Sequence, residues 1–144
     1  MKKEIIKKYA ELLVKVGVNL QKGEKLVVSS PVIAADLARE IAKSAYKNGA
    51  REVEVLWNDQ ELDKLGLKNR TVKSLSVIPE WAKTQRESYI EEKICYIAII
   101  SDNPDAMKSV SSKKISAARK AKRKAFQKFS EYTSSNKIRW ALAA

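Results

Sequence analysis

The chain of 144 residues has no histidine and a single cysteine, Cys95. Without histidine it can hold no Ser-His-Asp triad, no Cys-His pair and no imidazole-liganded zinc. A metal site built from these residues alone would have to rest on carboxylates. One cysteine cannot close an internal disulfide and fits a reducing compartment. No apolar run approaches the roughly 20 residues needed to span a bilayer. The amino terminus, Met1-Lys2-Lys3-Glu4, passes straight into an amphipathic pattern without the apolar block of a signal peptide. The location expected is therefore cytoplasmic, with no membrane contact. There is no internal repeat and no low-complexity linker.

What the chain does contain is enough apolar material for one core, 44% of residues against 32% charged. The charge is unevenly spread. Lys and Arg number 29 and Asp and Glu 17, a balance of +12. Residues 106–144 hold 11 of those bases against one acid, Glu131, which is +10 and leaves only +2 for the first 105 residues. The basic character belongs to the last quarter.

Apolar spacing predicts the elements. Ile5, Ile6, Tyr9, Leu12, Leu13 and Val16 mark a helix over about 3–16. Lys25 to Ser29 reads as a buried strand, with Ser30 as the N-cap and Pro31 as the first residue of the helix that follows. Leu37, Ala38, Ile41, Ala42, Ala45 and Tyr46 line that helix, and Asn48-Gly49 ends it. Val53 to Trp57 is the next strand. Asn58 and Glu61 then form a capping-box pattern, with Trp57 and Leu62 at staple positions. Gly66 to Ser76 reads as a loop with a helical turn. A helix runs from Pro79 to about Glu92, and Ile94 to Ile100 is an apolar strand. Asn103-Pro104 caps a short turn, a long helix runs from Ser111 or Ser112 to Tyr132, and Lys137 to Leu142 is the last strand. Alternating strands and helices predict a three-layer α/β domain with a mainly parallel sheet of about four strands. The strands at Leu26, Val28, Val53, Val55, Ile97 and Ile99 supply the expected core.

In such sheets ligands sit beyond the carboxyl ends of the strands. Those ends carry Ser29 and Ser30, Asn58 and Asp59, and Ser101, Asp102 and Asn103. Ser29, Ser30, Asn58, Asp59, Asp102 and Asn103 are the candidate rim of a cleft, although helix capping accounts for the same residues. No glycine lets the backbone after Ser29-Ser30-Pro31 approach a pyrophosphate, and no phosphate-loop lysine follows. Asp59, Glu61 and Asp63 lack the spread and central glycine of a calcium loop, and suit a helix start. Cys95 sits mid-strand as a small packed hydrophobe. In the basic helix Ile115, Ala118, Ala121, Ala125, Phe129 and Tyr132 form the apolar stripe. Arg119, Lys120, Arg123 and Lys124 project opposite, and Lys122 must snorkel from the apolar arc. That face could attract phosphates, but it carries no interleaved aromatic and no base-reading motif, so nucleic acid is not the expected partner. No catalytic and no metal-ligating residue emerges.

Four groups of residues, in order along the chain, carry a resemblance. They are Tyr9 to Gly17 with Gln21-Lys22-Gly23; Pro31 to Ala35, Leu37, Ala45-Tyr46, Gly49-Ala50, Glu52-Val53 and Trp57; Pro79-Glu80-Trp81; and Asn103-Pro104, Ala117-Ala118, Tyr132, Ser135-Asn136-Lys137 and Trp140. Together they resemble the N-terminal domain of the thermophilic-type metalloaminopeptidases, the family of aminopeptidase T, aminopeptidase S and PepS. The resemblance implies a two-domain, homodimeric parent that removes N-terminal residues from peptides with divalent metal ions, whether zinc, cobalt or magnesium. It places the Glu, His, Asp and Tyr ligands in a C-terminal catalytic domain, and none transfers to this chain. Residues 1–144 are then expected to be a single noncatalytic domain, an N-terminal fragment of a larger enzyme, inactive alone. The dense basic run from Lys113 to Lys128 departs from the family pattern. It keeps open an alternative, a free-standing basic module for RNA or another acidic partner.

Overall fold

The computed structural model describes residues 2–101, 103 and 105–144. Helix α1 (Lys3–Leu12) continues into a π-helical turn (Leu13–Gly17) and leads to strand β1 (Lys25–Pro31). A 3₁₀ turn (Val32–Ala34) and α2 (Ala35–Lys47) bring the chain to β2 (Glu52–Asn58). Three helices follow, α3 (Gln60–Asn69), α4 (Val72–Leu75) and α5 (Glu80–Glu92), before β3 (Cys95–Ile99). Then come α6 (Ser112–Ala125), α7 (Gln127–Ser134) and β4 (Trp140–Ala143).

All four strands are parallel, in the order β2-β1-β3-β4, which is the expected three-layer α/β arrangement. The crossover from β1 steps outward to β2 and packs α2 on one face. Later crossovers step the opposite way and place α5 and α7 on the other, the pattern that right-handed connections produce. The larger core lies under α1 and α2, where Leu26, Val28, Cys95, Ile97 and Ile99 meet Ala10, Val14, Ala38, Ile41 and Ala45. The smaller core holds Val27, Tyr89, Ile94, Phe129 and Ile138, with Phe129 edge-on to Tyr89 and Tyr96 at centroid distances of 6.4 and 5.4 Å. Val53 and Val55 pack on the first core but are only half-buried, because β2 is an edge strand. Gly49 adopts φ +92° where α2 turns into β2, and a Cβ there would meet Lys22 Cγ at 2.9 Å.

The local readings change where neighbours outweigh periodicity. The first helix buries Ala10, Leu13, Val14 and Val18 and leaves Leu12 and Val16 in solvent, Val16 at 70% exposure. The π turn, with Val18 N–H donating to the Leu13 carbonyl, rotates the last turn and selects the other valines. Ser30 is no cap and Pro31 opens no helix. Pairing with Trp57 and Asn58 carries β1 through both residues, and the helical path starts at Val32. The same pairing extends β2 through Asn58, so α3 starts at Gln60 and neither the capping box nor the staple forms as read. Gly66 lies inside α3, and the rest of the expected loop contains α4, capped by the Thr71 hydroxyl accepting from Ser74 N–H at 3.0 Å. The long basic helix breaks at Phe126, which lets α6 pack against α4 while α7 turns Phe129 into the smaller core.

Candidate functional site

At the carboxyl edge the rim candidates part company. Ser30 is fully buried and its hydroxyl donates to the Pro31 carbonyl at 2.9 Å, so it is committed to the backbone. Ser29 is half-buried on the α5 and α7 face, and Asn58 is exposed at the end of β2. Asp59 occupies the N-cap position of α3 without a side-chain capping bond. Asn103 accepts from Asp105 N–H through its Oδ1 at 3.0 Å, a turn closed by its own side chain. Asp102, and Pro104 of the expected cap, lie outside the described residues. Asn58, Asp59 and Asn103 therefore share one edge, and Ser30 lies beneath it.

Gln60 ties this edge together, and the sequence reading passed over it. Its amide nitrogen donates to the Asn103 carbonyl and its Oε1 accepts from Asn103 N–H, both at 3.3 Å. The bridge runs from the start of α3 to the segment beyond β3, across the end of β1 between them. A glutamine in the first turn of a helix gives no signal of a partner 43 positions away.

The opposite edge is densely ionic. Lys25 is buried, and its ammonium lies 3.6, 3.2 and 3.5 Å from Glu52, Glu54 and Glu92. The ammonium also sits 5.5 Å from the centre of the Tyr89 ring, whose hydroxyl donates to Glu54. Burial pushes the Glu54 carboxyl up, but Tyr89 and Lys25 outweigh it and hold the group below its ordinary 4.5. Burial likewise pulls Lys25 down, and the carboxylates leave it above its ordinary 10.5. Beside this cluster Arg139 pairs with Glu24 and donates to the Cys95 sulfur at 3.3 Å. Burial raises Glu24, and Arg139 with Gln21 N–H brings it below the usual carboxylate range. Burial pushes the Cys95 thiol up to about 11, so at neutral pH it is protonated and not a nucleophile.

The converging carboxylates thus pair with Lys25, Arg139 and, through Glu92 at 3.9 Å, Arg51. Among the described residues no group of three His, Cys, Asp or Glu side chains is arranged to hold a metal ion. Glu61 and Asp63 are exposed on α3 and do not converge with Asp59. The described residues do not fit a catalytic metal. Away from both edges, an open groove of about 440 Å³ lies between α3, α4 and α6, floored by Leu67, Leu75, Ile78 and Ile115 and rimmed by Arg70, Arg119 and Lys122. Lys122 reaches solvent from the edge of the apolar arc, as its position required. Among the described residues no α6 cation has a carboxylate within 4.0 Å.

Set against known proteins, residues 2–144 match the family described as thermophilic metalloprotease (M29). The chain is 38% identical over 134 residues to aminopeptidase AmpS of Bacillus subtilis (strain 168), covering 93% of this chain and 33% of that protein. It is 30% identical over 125 residues to aminopeptidase T of Thermus thermophilus, covering 87% of this chain and 31% of that one. The structure titled wild-type AmpT from Thermus thermophilus superposes with a TM-score of 0.91 at 28% identity, over 98% of this chain and 36% of the other. The chain spans about a third of the length of the curated relatives it matches.

Proposed function

This chain belongs to the thermophilic metalloprotease (M29) family, and from that premise we propose that residues 1–144 are the noncatalytic N-terminal domain of a metal-dependent aminopeptidase. One observation carries the reading: nearly the whole chain aligns with aminopeptidases, yet it accounts for only about a third of each. The saturated carboxylates agree with it. A divalent ion in a peptidase activates water and polarises the scissile carbonyl, and such an ion needs converging ligands supported by a second set of hydrogen bonds. In this reading the ligands come from a C-terminal catalytic domain, zinc, cobalt and magnesium are the ions to try, and the parent is a cytoplasmic homodimer acting on peptides. The edge at Ser29, Asn58, Asp59 and Asn103 lines the cleft and takes no part in bond breaking.

The test is an aminopeptidase assay on the 144-residue chain beside the full-length protein, with each metal added in turn. Turnover is expected only from the longer protein. Metal-dependent turnover by the short chain at a comparable rate would refute the assignment. The uncompensated cations of α6 favour a second reading, a module for RNA or another acidic partner. Tight, sequence-selective RNA binding at physiological salt would support it over the first, whereas weak binding that fades with salt is expected from charge alone.

A further inference from the structure

Strand β4 is unfinished in two ways at the same residues. The carbonyls of Arg139 and Ala143 accept from Tyr96 and Ile100 N–H at 3.0 and 2.8 Å, so these alternate residues face β3. The pleat then turns the N–H and C=O groups of Trp140 and Leu142 away from the sheet, where no strand pairs with them among the described residues. Their side chains are uncovered as well, at 38% and 51% exposure, next to Ile100 at 45%. The opposite side of the same strand is finished. Ala143 is buried, and Ala141 packs under the π turn, where a Cβ on Gly17 would come within 3.1 Å of it.

The handedness of the connections says what belongs there. Each crossover that steps from β1 toward β4 lies on the face of Val27, Tyr89 and Phe129, and register places Tyr96 and Trp140 on that face. A right-handed step beyond β4 must put its helix on the same face, over Trp140 and Leu142. An exposed apolar edge strand is otherwise a template for aggregation, which folded proteins cover or charge, and β4 carries no charge between Trp140 and Ala143.

We propose that β4 is the docking edge for a fifth parallel strand and its crossover helix, supplied by the segment that follows Ala144 in the longer protein, with the helix seated on Trp140, Leu142 and Ile100. The inference rests on the reading of this chain as one domain of a longer enzyme. It makes the joint between the two parts a shared sheet, and a flexible tether is the arrangement it excludes.

Hydrogen exchange on the 144-residue chain and the full-length protein tests it. In the full-length protein the amides of Trp140 and Leu142 should exchange slower by about a hundredfold or more than in the short chain. Leu142→Asp should lower the melting temperature of the full-length protein by several degrees and leave that of the short chain nearly unchanged. An active full-length aminopeptidase in which both amides exchange as fast as in the short chain would overturn the shared sheet and leave the proposed function standing. Slow exchange in a full-length protein without aminopeptidase activity would do the reverse. Protection that appears in the short chain only as its concentration rises would assign the edge to a second copy and refute the proposal.

Discussion

The two ends of the parallel sheet are built on opposite plans. At the amino end the buried Lys25 pairs with the partly exposed Glu52, Glu54 and Glu92, and beside them Arg139 pairs with Glu24. At the carboxyl end Ile33, Trp57 and Ile100 stand in water among Asn58, Asp59 and Asn103. A saturated ionic cluster holds strands in register and has nothing left for a ligand. An edge with exposed apolar groups and small polar side chains adds little to stability and keeps its groups available.

Substitutions can break this contrast. The largest effect is expected at the closed end. Lys25→Met removes the ammonium that three carboxylates share, and should cost about 3 kcal/mol, the low end of stripping one partner from a buried ionic group, because the carboxylates left behind are 31–51% exposed and partly rehydrate. Urea midpoints would measure it, and a loss below about 1 kcal/mol would show the cluster to be ornamental. Next comes the hydrophobic layer. Ile97→Ala, at a fully buried side chain of the inner strand β3, should cost about 3 kcal/mol, and Val53→Ala on the half-buried edge strand only about 1 kcal/mol. Equal losses would deny that β2 is an edge.

The pH profile should show the closed end from both sides. Glu24 and Glu54 sit below their ordinary 4.5 in the folded chain, so their contribution is complete above that value and is lost as pH falls through the lower folded values. Lys25 sits above its ordinary 10.5, so its contribution is complete below that value and fades as pH rises through the higher folded one. Thermal melts should be level between those limits and fall outside them. Lys25→Met should flatten the alkaline arm, and an unchanged alkaline arm would assign that loss to other groups. The smallest effect belongs to the open end. Gln60→Ala removes two exposed hydrogen bonds and should cost under about 1 kcal/mol. Amide exchange near Asn103 should nonetheless quicken, and no change there would mean the bridge does not hold that segment.

The architecture was legible because strand runs such as Leu26 to Val28 and Ile97 to Ile99 are apolar on both faces, which only a sheet covered on both sides accepts. Cys95 was placed correctly as a packed side chain for the same reason. Ser30 and Asn58 were misread because a serine or asparagine before a helix looks the same whether it caps the helix or ends a strand. The partner strand decides, and Ser30 pairs with Trp57, 27 positions away. Of the rim residues, Asn58, Asp59 and Asn103 do share an edge, but the Gln60 bridge between them could not be read from spacing.

Local pattern, read along the chain, was enough for the α/β class, the approximate number of strands, the basic last quarter and the lack of imidazole, because each of these depends on residue type and short-range period alone. The π turn that chose Val14 and Val18 over Val16, the break at Phe126, the strand order that made β2 and β4 edges, and the commitment of Glu24, Glu52, Glu54 and Glu92 to Lys25, Arg51 and Arg139 were settled only when distant segments packed. Those outcomes turn on competition for buried surface and on the cost of leaving a buried charge without a partner, and both are paid between residues far apart in the chain.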